Sequence, residues 1–198
     1  MARTIAKDHD EKRAQILKSA AKVFAQAGYD RASMTQLARE CGISKANIYH
    51  YYDSKEAVLF GLLDTYLREL RDRVCGVDLQ GVSADDRLRR VVAEILLAYQ
   101  GADYEHKVQS GAMGALPEEQ QKLLRAYQRE MVQFLNDTLR AVAPEVFEND
   151  AEKLRSATMS VFGMLNWYYM WNSGAGPKAR EDYADLVANL TLNGVRGL

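Results

Sequence analysis

The stretch Cys41-Gly42-Ile43-Ser44-Lys45-Ala46-Asn47-Ile48-Tyr49-His50-Tyr51-Tyr52 decides how this chain is read. A short helix starting at Ser33 turns Leu37, Ala38 and Cys41 inward and reaches Gly42, which can take a left-handed turn. A second helix starts at Ser44, buries Ile48 and presents lysine, asparagine, tyrosine and histidine side chains outward. This is the pattern of a helix-turn-helix, and those outward groups suit a DNA groove.

Working outward, Ser33 with Gln36 forms a capping box for the first of these helices. Upstream, Ile16, Leu17, Ala20, Val23 and Phe24 recur at three-and-four spacing and predict a helix from Asp10 to Ala27, with Gly28 as its stop. Downstream, Asp53 with Glu56 predicts a second capping box that opens a long helix. Its apolar face runs through Val58, Leu59, Leu62, Leu63, Tyr66, Leu67, Leu70 and Val74. The pattern breaks between Gly76 and Ser83. Five further helices are predicted at about Ala84–Gln100, Tyr104–Ala115, Pro117–Val142, Asp150–Asn172 and Arg180–Val195. Pro117, Pro144 and Pro177 all read as helix boundaries, and no segment alternates with period two. The expected fold is all-α with about nine helices. A three-helix head, residues 1–55, joins a larger helical domain, residues 56–198.

Charge follows the same division. The 198 residues carry a net charge of −1, with 27% charged residues. Residues 1–55 hold ten Lys/Arg against six Asp/Glu, a net of +4, and the remainder is net −5. A basic head on an acidic body points to a polyanionic partner for the head alone. Two cysteines, Cys41 and Cys75, lie far apart without metal-ligand spacing, which suits a reducing cytoplasm. The longest apolar stretch, Met159 to Trp171, is too short to span a bilayer, so no membrane partner is expected. Neither a cofactor nor a metal is expected.

In the head, Ser44, Lys45 and Asn47 lie on the first turn of the second helix, with Tyr49, His50 and Tyr51 following on its exposed side. Asn47 is the candidate for bidentate adenine recognition and Lys45 for guanine. Lys55, where a helix begins, is placed to meet a phosphate. Tyr52 reads as packing between helices, with its hydroxyl at a surface edge.

The segments Ala20–Tyr29, Ser33–Cys41 and Gly42–Leu59 together closely resemble the TetR family of bacterial repressors. The resemblance covers residues 10 to 60 almost continuously. It implies a homodimer with a three-helix DNA-binding head, a helical ligand domain and a palindromic operator in double-stranded DNA. It also implies that Ser44, Lys45, Asn47, Tyr49, His50 and Lys55 occupy DNA-contacting positions.

In the body, the helix around Met159–Trp171 is apolar nearly all round and is expected to be buried on more than one side. The stripe Met159, Gly163, Asn166, Trp167 and Met170 is assigned to a ligand cavity, joined by Met113, Tyr127, Met131 and Phe134. The stripe Val161, Leu165 and Tyr168 is assigned to a dimer interface, with Tyr183, Leu186, Val187 and Leu190 of the last helix. The competing reading makes most of these residues plain core. Asn166 stands out, because an amide amid such bulk requires a partner. The run Gly163-Met164-Leu165-Asn166-Trp167, with Trp171 four residues on, resembles acyl-CoA-responsive members of the same family. That resemblance implies an acyl-CoA or aromatic-acyl-CoA effector, and Arg68, Arg71, Arg73, Lys107, Arg125 and Arg129 are the candidates for its phosphates.

Three functions are therefore weighed: a cytoplasmic repressor released by a small effector, a DNA-binding protein without effector, and an enzyme acting on the thioester. Ser19-Ala-Ala-Lys22 matches a Ser-x-x-Lys pattern but lies mid-helix without supporting motifs, and no paired carboxylates or phosphate loop are evident. The sequence argues against the enzyme. A hydrophobic ligand without coenzyme A remains the alternative effector.

Overall fold

The computed structural model of the chain describes residues 2–197, with side chains from His9 onward. Its described residues form ten α-helices and no strand: α1 Ala2–Ala27, α2 Met34–Cys41, α3 Lys45–Tyr49, α4 Lys55–Cys75, α5 Ala84–Ala98, α6 Asp103–Ala112, α7 Glu118–Val142, α8 Pro144–Phe147, α9 Ala151–Trp171 and α10 Pro177–Val195. A single 3₁₀ turn, Met113–Ala115, follows α6.

Most boundaries follow from local chemistry. Ser33 caps α2 in extended backbone, and its hydroxyl accepts from the Gln36 amide at 3.2 Å while the Gln36 side chain accepts from the Ser33 amide at 2.8 Å. Gly42 closes α2 at φ 67°, a left-handed conformation that favours glycine. Four boundaries differ from the sequence reading. The first helix begins eight residues earlier, at Ala2, because no breaker interrupts the chain before Asp10. Ser54, not Asp53, caps α4, its hydroxyl accepting from the Ala57 amide at 3.0 Å. The last helix begins at Pro177, whose fixed φ suits a first-turn position. Between Val142 and Ala151 the chain makes the short α8, again opened by a proline, Pro144.

The helices form two compact units that do not follow chain order. One comprises the chain through Leu67 together with Tyr104–Leu124, and the other comprises Arg68–Asp103 together with Arg125–Leu198. In the first unit α2 packs on α1 and α3 on α2, around the fully buried Ile16, Leu37, Ile48, Leu59 and Leu63. The start of α4 and α6 are tied within it by a hydrogen bond of 3.2 Å between the Tyr66 hydroxyl and His106 Nδ1. In the second unit α10 packs on α5 and α9, over a core that includes Leu88, Val92, Ile95, Leu165 and Val187.

Candidate nucleic-acid interface and effector body

The head's candidate reading surface is α3. Ser44 caps this five-residue helix by accepting from the Asn47 amide at 3.1 Å, and Ile48 alone is buried in it. Ser44, Lys45, Asn47, Tyr49 and His50, five of the residues expected at DNA, are exposed. The Lys45 ammonium rests over the Tyr49 ring, 5.7 Å from its centroid. Tyr51 is half-buried, edge-on to His50 at 5.4 Å and beside His9 at 4.9 Å. It holds the end of the reading helix against α1 and is less available than its neighbours. Such an arrangement offers an amide and an ammonium for base edges and hydroxyls for phosphates.

Two further head residues differ from expectation. Lys55 does not reach outward: its Nζ donates to the carbonyls of Tyr29 at 2.8 Å, Ala32 at 3.1 Å and Asp30 at 3.2 Å. Tyr52 is buried, and its hydroxyl is enclosed without a well-aligned hydrogen bond instead of sitting at a surface edge. Burial pushes its phenol up, and the Arg13 guanidinium, 5.0 Å above the ring, opposes that shift.

In the second unit the two stripes of α9 differ in burial from what the sequence reading expects. Val161, Leu165, Tyr168 and Val187, assigned to a dimer interface, are buried inside the chain. The reason is that α9 packs on α5 and α10, with Tyr168 stacked on the half-buried Tyr183 at 4.6 Å. Met159, Gly163, Trp167 and Met170, assigned to the cavity, are exposed instead and do not line the interior of this chain. Trp167 is 62% exposed and Trp171 59%, beside Leu186 at 51% and Leu190 at 56% on α10. Trp171 belongs to this face by its spacing, four residues after Trp167, a signal present in the sequence.

Asn166 has a partner in the protein. The Tyr99 hydroxyl, at the C-terminal cap of α5, donates to its side-chain oxygen at 2.6 Å, and burial pushes the Tyr99 phenol far up. Nothing in the sequence marked Tyr99, a tyrosine at a helix end 67 residues away. Tyr127, Met131 and Phe134 share one side of α7, with Met131 buried and the other two half-buried. Met113 is half-buried in the 3₁₀ turn of the first unit. Among the six basic candidates for an effector phosphate, Arg71 is bound to Glu130 at 2.6 Å and stacks on Tyr127 at 4.9 Å. Arg73 is paired with Glu94. Arg68 and Arg125 also interact within the protein, whereas Lys107 and Arg129 are exposed. No helix among the described residues is long and apolar enough to cross a membrane.

Comparison with known proteins sets this geometry in a family. Residues 16–62 match the family described as bacterial regulatory proteins, tetR family, and residues 81–195 match the tetracyclin repressor-like C-terminal domain. The crystal structure of a TetR-family transcriptional regulator from Bordetella parapertussis is 35% identical, covers 94% of this chain and 96% of its own, and has a TM-score of 0.85. The uncharacterized HTH-type transcriptional regulator YuxN of Bacillus subtilis is 32% identical over 65% of this chain and 45% of its own length. The chain spans less than half the length of the first curated relatives it matches. AibR, solved in complex with isovaleryl coenzyme A and operator DNA, shares the fold at 23% identity, covering 90% of this chain and 97% of its own, with a TM-score of 0.76.

Proposed function

We propose that this chain, which belongs to the tetR family of bacterial regulatory proteins, acts as a homodimeric repressor that leaves a palindromic operator when its body binds a small effector. Membership makes it a DNA-binding transcription regulator and not an enzyme. Residues 1–55 carry the DNA contacts in this reading, and residues 56–198 the effector and the second copy.

The observation that carries the proposal is the outward apolar face of the second unit. Met159, Trp167, Met170 and Trp171 on α9 and Leu186 and Leu190 on α10 are all exposed within one chain. Large apolar side chains exposed together on two packed helices mark an interaction site, and the partner that fits is a second copy. A twofold contact puts the same patch on both subunits and pairs two reading helices for successive major grooves. Effector release then requires only that the body bind more tightly in a state whose two heads are wrongly spaced, because equal affinity shifts nothing.

For the effector, the proposal rests on α7 and the Tyr99–Asn166 pair. Tyr127, Met131 and Phe134 offer an adaptable apolar wall, and the Tyr99 hydroxyl that Asn166 now accepts would suit an acyl carbonyl. An acyl-CoA thioester is the first reading. The basic residues favour a second, an apolar acid or aromatic without the nucleotide portion, since Arg71 and Arg73 are already engaged in ion pairs.

The test is a gel-shift titration on a duplex obtained by selection from random sequence. Release by acyl-CoA thioesters supports the first reading, and release by the free acids alone supports the second. A complex that survives both panels overturns the effector proposal.

A further inference from the structure

We infer that Lys55 is a positioning residue of the DNA-reading head and not one of its phosphate ligands. A lysine ammonium has three donors and no acceptor. All three have carbonyl partners here, those of Tyr29, Asp30 and Ala32 at 2.8, 3.2 and 3.1 Å. The same ammonium lies over the Tyr29 ring, 4.4 Å from its centroid, and that ring meets Phe24 of α1 edge-on at 5.3 Å. A phosphate oxygen could gain Lys55 only by displacing one of these carbonyls from a half-buried site. Lys45 stands in contrast, exposed on the reading helix with its charge resting on an aromatic face.

The clamp has a consequence for geometry. Its acceptors lie 23 to 26 residues before Lys55, and the chain enclosed between them contains the whole of α2 and α3. Ala32 immediately precedes the Ser33 cap of α2, and Lys55 is the first residue of α4. One side chain therefore joins the entry of the helix-turn-helix to its exit and fixes where the reading helix is held. Convergence matters as much as charge. An arginine fork is planar and cannot aim three donors at three carbonyls grouped around one point.

The inference rests on the head being the DNA-binding part, and one experiment separates the two. The folded wild-type chain is acetylated with and without random-sequence duplex at low salt, and each lysine is followed by mass spectrometry. Lys55 should react about tenfold more slowly than Lys45 in the free protein, with no further change on adding duplex. Lys45 should react quickly and become protected by duplex, and its failure to do so would count against the head, not against the clamp. Rapid modification of Lys55 that duplex suppresses would overturn the inference. The variants Lys55→Met and Lys55→Arg give a second reading on the same random duplex. Both should keep the wild-type slope of log affinity against log salt while losing affinity for a selected sequence. A slope reduced by about 0.9 in Lys55→Met, with Lys55→Arg binding as wild type, would identify a phosphate ligand. Where Lys55→Met does not fold, Lys55→Arg and the wild-type acetylation decide.

Discussion

At the scale of single residues the head contains one side chain that works against its own stability. The Tyr52 hydroxyl is enclosed without a well-aligned hydrogen bond, with the Arg13 guanidinium beside its ring, and a buried polar group left in this way costs about 1–3 kcal/mol. The ring is accommodated by Gly61 of α4, where an added Cβ would come within 3.1 Å of Tyr52 Cε1. Tyr52→Phe should therefore stabilise the chain by about 1 kcal/mol, raising the melting temperature by about 2–4 °C. A lower melting temperature would mean that the hydroxyl has a partner after all. A glycine in a helix interior costs about 1 kcal/mol against alanine, and the packing that explains Gly61, against a ring nine residues upstream, was not legible from spacing. Asn47 poses the opposite case, because its exposure and its place on the first turn of α3 both follow from the Ser44 cap. Asn47→Ala should relax sequence preference at one position per half-site in selection from random duplexes. An unchanged selected sequence would remove Asn47 from base readout.

At the scale of elements, caps were legible and inward faces were not always so. The Ser33 box and the Gly42 turn are local chemistry between residues three to five apart, and both stand as the sequence implies. The two faces of α9 could not be ranked in the same way, since a helix apolar nearly all round has no polar side to orient it. Its orientation is set by α5 and α10, elements distant in sequence. Long-range polar contacts escaped for the same reason. Arg180 is fully buried, donating to the carbonyls of Ala175 at 3.0 Å and Leu96 at 3.3 Å and to Asp103 at 3.3 Å. Asp103 in turn accepts from the Gly174 amide at 2.9 Å and the Ser173 hydroxyl at 3.1 Å. The hub joins the ends of α5 and α9 to the starts of α6 and α10. Removing the guanidinium leaves the carbonyls of Ala175 and Leu96 without their side-chain donor, so Arg180→Ala should cost about 3 kcal/mol in chemical denaturation. A loss no larger than that of an ordinary surface substitution would show that the hub does not hold these ends together.

At the scale of the whole molecule, the basic head and acidic body were visible in composition, but the grouping of helices was not. Tyr104–Leu124 clusters with the chain through Leu67, a long-range association that a reading in chain order divides. The exposed apolar face is likewise a property of several helices together, and it separates a dimer from a folded monomer by experiment. Trp167 and Leu190 are outward on this face, whereas Val187, on the same helix as Leu190, is fully buried. A charge at the outward positions meets water in the monomer and, in the proposed dimer, an apolar surface. Trp167→Glu combined with Leu190→Glu should therefore yield a monomer by sedimentation equilibrium, with helix content by circular dichroism equal to wild type. Val187→Glu places the same charge in the core and should lose helix content instead. With the proposed palindrome read by two heads held together, the double variant should also bind a selected duplex with the weaker affinity of one head. A double variant that stays dimeric would show that the second copy docks elsewhere and that this face serves another partner.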